Sequence, residues 1–255
     1  MRQLVLIVAV FFLVGCGGDG YITLTPNMKL TSNSVAVSVP KTSNDDTGWE
    51  AFYLNSDRYI QLFRQIPNMM SEKVDITVST IPQNEIANDY LLYKNKNNQM
   101  EERYKNFKMS NWEKKNNAER GVNYVKIYID FIGGLKCGTR VESSNIALGV
   151  GSKSYQTNCT YFDNQGGAKN IHFGYDYVYT HSGTKFESDN QGSSVSPEVM
   201  QYRFKEDMKA IFDSLVIHDM DRVKMQEEGL LHNKKYDIQQ EEKTPILEGL
   251  LTPWH

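Results

Sequence analysis

The sequence predicts an α+β protein in which antiparallel sheets carry packed helices. Three observations predict it. Apolar residues alternate with period two over several separated runs, the mark of half-buried strands. One later stretch, Met200, Phe204, Met208, Ile211, Phe212 and Leu215, switches to helical spacing and forms a single apolar stripe. Turn formers, Gly133-Gly134 and the cluster from Asp163 to Gly167, sit between runs that can return on each other as hairpins.

In chain order, Tyr21-Ile22-Thr23-Leu24-Thr25 reads as strand-like, and Val35, Val37 and Val39 share one face until Pro40 stops them. Tyr59 to Ile66 reads as a further strand. Lys73-Val74-Asp75-Ile76-Thr77-Val78 alternates cleanly, and Ile81-Pro82 ends it. Residues 84–120 differ. They are crowded with Asn and Lys, and Ile86, Tyr90, Leu91, Tyr104 and Phe107 fit a helix only loosely, so the stretch reads as a solvated helix and loop. Lys94 to Arg120 holds eight bases against four acids, a balance of +4. Around Trp112, Lys114, Lys115 and Arg120 it is the candidate surface for an acidic partner or for anionic headgroups.

The second half is more regular. Val125, Ile127, Ile129 and Phe131 alternate with Lys126, Tyr128 and Asp130, and Leu135 to Glu142 is the expected hairpin partner beyond Gly133-Gly134. Tyr155 to Phe162 is the next strand. Ile171, Phe173, Tyr175, Tyr177 and Tyr179 then fall on one face of another, either a ligand platform or, as is commoner for aromatic strand faces, core. Ser196 is placed to cap a helix that starts at Pro197, with Glu198 favouring the positive end of the dipole. Its apolar stripe should pack on the sheet. From Asp219 to Glu248 the chain carries eight acids and five bases, with little apolar content before Ile246-Leu247 and Leu250-Leu251. Such a segment can wrap the body, exchange between protomers or stay open until a partner arrives, and an extended arm over its own domain is the reading adopted.

Composition narrows the function. The 255 residues include 15 Tyr, 11 Phe and 3 Trp, enough large side chains for a real core, with 18 Gly, 7 Pro and 3 Cys. A disordered, collagenous or disulfide-dense chain is excluded on those numbers. A formal net charge of -3 argues against a dedicated nucleic-acid binder, which needs a strongly basic face.

The N-terminus is the most informative segment. Arg2 is followed by an unbroken apolar run from Leu4 to Val14, too short to span a bilayer comfortably and the right length for the hydrophobic region of an export signal. The run ends in Leu13-Val14-Gly15-Cys16, which resembles the bacterial lipobox. The resemblance implies diacylglycerol on the Cys16 thiol, cleavage after Gly15, and further acylation (palmitate or a similar chain) of the new amino terminus. Two or three chains make a stable anchor where one is marginal. Asp19 follows only after Gly17 and Gly18, and the absence of Asp directly after Cys16 implies, by the same resemblance, the outer membrane, with the protein facing the periplasm. The expected organisation is a signal peptide over 1–15, a lipidated tether over 16–27, an α+β body over 28–218 with a possible subdivision near 115–121, and a C-terminal extension over 219–255.

Cysteine usage agrees with export. With Cys16 acylated, Cys137 and Cys159 remain as an even pair in an oxidising compartment. Two Cys without CxxC spacing or a nearby His pair make no zinc site. A structural disulfide is the expectation.

Catalytic motifs are absent from the sequence. There is no G-x-S-x-G, H-E-x-x-H, Walker A or dinucleotide-binding glycine pattern. Gly149-Val150-Gly151-Ser152-Lys153 superficially resembles a phosphate loop but lacks its spacing. The five His, at 172, 181, 218, 232 and 255, are scattered. A non-enzyme without cofactor or metal is therefore expected, although a triad assembled only in space leaves no trace in sequence.

Two further resemblances bear on the class. The valine strand ending at Pro40 and the amphipathic helix running into Phe212-Asp213-Ser214-Leu215-Val216-Ile217 resemble the opening and closing of PsbP-like α/β sandwich domains, which implies one or two such modules. The lipobox, the length, the paired Cys and the lack of catalytic motifs are similar to type VI secretion immunity lipoproteins that neutralise lipase effectors. That likeness implies a membrane-anchored inhibitor whose partner is a cognate effector, a type VI secretion phospholipase. The competing class, a structural or assembly lipoprotein of a secretion or outer-membrane machine, shares the same features.

Overall fold

A computed structural model describes residues 21–41, 48–52, 57, 59–66, 70–82, 122–147, 150–180 and 197–233. Their dominant element is one eight-stranded sheet in which every neighbouring pair is antiparallel. It contains β1 (Ile22–Thr23), β4 (Glu50–Ala51), β5 (Tyr59–Ile66), β6 (Met70–Ile81), β7 (Val122–Ile132), β8 (Leu135–Ala147), β9 (Val150–Phe162) and β10 (Ala168–Thr180). Across the sheet the order is β1-β4-β5-β6-β10-β9-β8-β7. A small second sheet has the order β11-β3-β2, from Val216–Ile217, Val35–Ser38 and Lys29–Thr31. Two helices are described, α1 (Pro197–Ser214) and α2 (Arg222–Glu227).

Eleven strands against two helices among the described residues correct the expected class. The fold is mainly β rather than α+β with helix-packed sheets. The two-module arrangement is corrected with it, because β6 pairs with β10 from Ser71↔Val178 to Ile81↔Ala168, so strands from both halves of the chain share one sheet. The physical reason is strand length. β8, β9 and β10 each run 13 residues, twice the usual span, and continue through polar stretches such as Glu142-Ser143-Ser144. Backbone pairing with both neighbours carries them where apolar alternation stops.

Local chemistry explains the turns. Gly133 and Gly134, at φ 59° and 83°, both occupy the left-handed region, which a two-residue hairpin turn needs to match strand twist. Ile132 and Leu135 close the ladder around them. Between β9 and β10, Asp163 Oδ1 accepts the amides of Gln165 (3.0 Å) and Gly167 (2.8 Å). An Asp side chain bonding the backbone two residues on is the usual stabiliser of such a bend.

Register also seats the disulfide. Cys137 and Cys159 lie directly opposite each other on β8 and β9, with Cα atoms 4.4 Å apart and a bonded sulfur pair at 2.00 Å. That Cα spacing is the narrow, non-hydrogen-bonded pairing of antiparallel strands, where side chains approach most closely. Both Cys are fully buried.

Helix α1 covers the face of the sheet that carries this bond. Phe204 is fully buried among three tyrosines, its ring centroid 4.5 Å from Tyr175, 5.0 Å from Tyr177 and 5.2 Å from Tyr155. Phe212 meets Phe173 edge-on at 5.1 Å. The aromatic face of β10 is therefore core. Val35, Val37 and Val39 of the small sheet join the same core, and the Ser38 amide donates to Ser214 Oγ at the end of α1, 2.9 Å away.

Strand β7 presents an unexpected phase to the helix side. Asp130 stands opposite Cys137, and Tyr128 opposite Thr139, so these residues share the core face and are nearly fully buried. Ile129 and Phe131 occupy the other face. Beyond β11 the chain stays on its own body. Asp163 bridges Met220, α2 lies against Phe162, and Leu231 bridges Leu135. The part of the C-terminal extension that is described, to residue 233, thus runs over its own domain.

Candidate functional site

Three polar groupings could do chemistry or bind. The first gathers residues far apart in sequence. Lys169 on β10 donates to Asp219 Oδ2 and lies 3.4 Å from Asp163 Oδ2. Asp219 also accepts from the Tyr161 hydroxyl (2.8 Å) and from Ser34 Oγ (2.9 Å), and Lys169 Nζ lies 3.5 Å from Ser34 Oγ. A Ser beside a Lys invites comparison with a serine nucleophile and its base, but a base must be neutral. Burial, the largest single influence on Lys169, disfavours its charge. The hydrogen bonds and charges of Asp219 and Asp163 together outweigh it, and its pKa is raised. Burial likewise pushes Asp219 up, while hydrogen bonds from Lys169, Tyr161 and Ser34 pull its pKa below the ordinary value. Tyr161 is raised, first by burial and then by its bond to Asp219. Each group is locked in the protonation state its partner needs. The cluster ties the small sheet to the large one.

The second grouping is buried beside α1. Arg64 Nη2 reaches Glu72 Oε2 at 2.7 Å and Asp207 Oδ2 at 2.6 Å, and its guanidinium carbon sits 4.7 Å over the Trp49 ring. Arg64 is 1% exposed and Glu72 0%, so water cannot reach them. Glu72 stands opposite Arg64 on β6 and Tyr177 opposite Glu72 on β10, so the pairing belongs to the core face.

The third grouping is the opposite face of the same sheet, and it is the candidate binding surface. Register aligns three rows across its centre. Thr77, His172 and Asn158 form one row, Asp75, Gly174, Gln156 and Arg140 the next, and Lys73, Asp176, Ser154 and Glu142 the third. Most of these side chains are half-exposed and satisfied laterally. Gln61 Nε2 donates to Asp75 Oδ1 (2.7 Å), Gln156 Nε2 to Ser154 Oγ (2.8 Å), and Arg140 Nε to Glu142 Oε1 (2.7 Å), while His172 Nδ1 meets Asn158 Oδ1 at 3.1 Å. Burial lowers the His172 pKa, with Asp75 and Asp176 offsetting part of the effect. The ring is therefore neutral at neutral pH, with one nitrogen free to donate or accept.

Gly174 lies in the middle row of this face. A Cβ built there would meet Gln156 Oε1 at 3.6 Å and His172 Nε2 at 3.7 Å, ordinary contacts, and its φ is not left-handed. Neither crowding nor backbone conformation demands glycine. A glycine inside a strand costs stability and often marks close approach by a ligand or another backbone. Gly174 is buried, and the side chains nearest its Cβ position are those of Gln156 and His172.

Of the residues singled out from sequence, Cys137 and Cys159 are brought together as the disulfide. Cys16, Trp112, Lys114, Lys115 and Arg120 lie outside the described residues, as do Ser196 and residues 234–255. No group of three or more His, Cys, Asp or Glu that could hold a metal occurs among the described residues. Among them, too, no helix is long and apolar enough to cross a membrane. The polar sheet face was missed, although a signal existed. Lys73, Asp75 and Thr77, and His172, Gly174 and Asp176, are the polar phases of the runs whose apolar phases mark strands. No protein-family model matches the chain, and no curated protein matches it significantly.

Proposed function

We propose that the protein is a lipid-anchored, periplasm-facing binding protein of the outer membrane that inhibits a toxic effector, with a type VI secretion phospholipase the leading partner. The observation that carries the reading is Leu13-Val14-Gly15-Cys16 at the end of an 11-residue apolar run, only a short tether from the folded body. The disulfide supports it, because such bonds persist in oxidising compartments. The polar outer face offers a broad, laterally braced surface of the kind a protein partner covers. An inhibitor tethered at the membrane meets a phospholipase at high effective concentration, so modest intrinsic affinity suffices. Inhibition then needs only occlusion of the lipase mouth or of a moving lid.

A second reading, an assembly lipoprotein, is favoured by β7. Among the described residues this 11-residue strand ends the sheet order, and a strand in that place is a template for strand addition by another chain. The test is capture of partners by the acylated chain from its native membranes, followed by enzyme assay. One stoichiometric lipase or other toxin, silenced at equimolar protein, supports the inhibitor. Recovery of secretion or outer-membrane assembly subunits, lost when β7 carries a proline at Ile129, transfers the proposal to the second reading.

A further inference from the structure

The end of the sheet nearest the tether carries an exposed aromatic corner. Tyr21 is 47% exposed, Phe52 40% and Ile22 39%. The Tyr21 ring meets Phe52 edge-on at 5.0 Å and leans on Phe63 at 5.9 Å, so the three rings form one patch. Strands β1 and β4 make the patch rigid, since Ile22 pairs with Ala51 and Thr23 with Glu50. Among the described residues, the other large exposed apolar residues, Val216 and Val223, stand singly on β11 and α2.

Position identifies what covers it. Tyr21 follows Cys16 by five residues, and five residues span at most about 18 Å when fully extended. An acyl chain on Cys16 therefore holds this corner within reach of the bilayer surface whatever path the tether takes. Tyrosine and phenylalanine at such a depth gain by seating the ring at the headgroup–acyl boundary, with the Tyr hydroxyl left in the polar layer. Lys73, opposite Phe63 on β6, is already paired with Asp75 at 2.6 Å, so ring insertion rather than headgroup charge makes the contact.

We propose that Tyr21, Phe52 and Phe63 form a second membrane contact that seats the body on the phospholipid leaflet carrying its anchor. The contact fixes the orientation of the sheet instead of leaving the body to swing on its tether. It rests on acylation of Cys16, and the test separates the two. In cells making the full chain, Phe52→p-benzoylphenylalanine is photolysed, and the same chain is labelled with palmitate. The expected result is palmitate uptake together with a phospholipid adduct at position 52, lost when the photolabel is moved to Val223. A palmitate-labelled chain with a protein adduct or none at position 52, or with equal lipid adducts at both positions, overturns the surface. A lipid adduct at position 52 without palmitate uptake supports the surface and overturns the acylation reading. Neither signal overturns both.

Discussion

Lys169 and Asp219 show how single residues hold the two sheets together. The folded-state pKa of Asp219 is lowered, so its contribution is present above the ordinary carboxylate range and is lost as pH falls through the folded value. Lys169 and Tyr161 are raised, so their contributions are present below about pH 10 and are lost as pH rises past it. Asp219→Asn removes the common acceptor. It is expected to cost about 2 kcal/mol at neutral pH, the range of a charged hydrogen bond, and to flatten both edges of the profile. Denaturant midpoints measured across pH check this, and a variant as stable as the parent would contradict it. Arg64→Met leaves Glu72 and Asp207 facing each other without their shared cation and is expected to cost about 3–5 kcal/mol, read by the same unfolding curves. Gly174→Thr behaves oppositely. It should gain up to about 1 kcal/mol, because glycine weakens a strand, while partner binding falls as a new side chain changes the polar face. Lost binding with unchanged or higher stability supports the polar face as the binding surface, and unchanged binding argues against it.

At the scale of elements, the β8–β9 pair and α1 carry the stability. The disulfide closes a sequence separation of 22 residues, worth roughly 3 kcal/mol in chain entropy. Joint Cys137→Ala and Cys159→Ala substitution should lower stability by about that amount, measured by urea unfolding with and without reductant. The parent under reduction should approach the variant, and the variant should not respond. Phe204→Ala opens a cavity among Tyr155, Tyr175 and Tyr177 and is expected to cost about 3–5 kcal/mol, visible as a lowered thermal midpoint. These elements are also the ones legible in sequence. Gly133-Gly134, Tyr59 to Ile66, Cys137 with Cys159, and the stripe beginning at Pro197 all announce themselves through local chemistry: turn conformation, period two, paired thiols and helical spacing. β2, β4 and β11 are too short to show a period, and they exist because neighbouring backbone offers hydrogen bonds. The phase of β7 was hidden for a related reason. Asp130 is polar by type but core by register, and register depends on β8.

At the scale of the molecule, the mainly-β class was not legible because long strands read as polar wherever they are braced by two neighbours rather than by apolar burial. The polar groupings were hidden by distance in sequence. Ser34 and Asp219 are 185 residues apart, and Arg64 and Asp207 are 143 apart. The architecture they build is a rigid sheet with a helix-covered face, a polar face, and an aromatic corner at the tethered end. Its proposed role needs each of these where it is, provided the tether is acylated. The proposed anchor, compartment, membrane contact and local concentration of inhibitor all depend on Cys16. The most direct test is intact mass spectrometry of the chain from separated inner and outer membranes. The expected species begins at Cys16, carries a diacylglyceryl thioether with or without an added amide-linked acyl chain, and lies in the outer membrane. A chain that retains residues 1–15, or one that begins at Cys16 with a free thiol in the soluble fraction, would contradict the account.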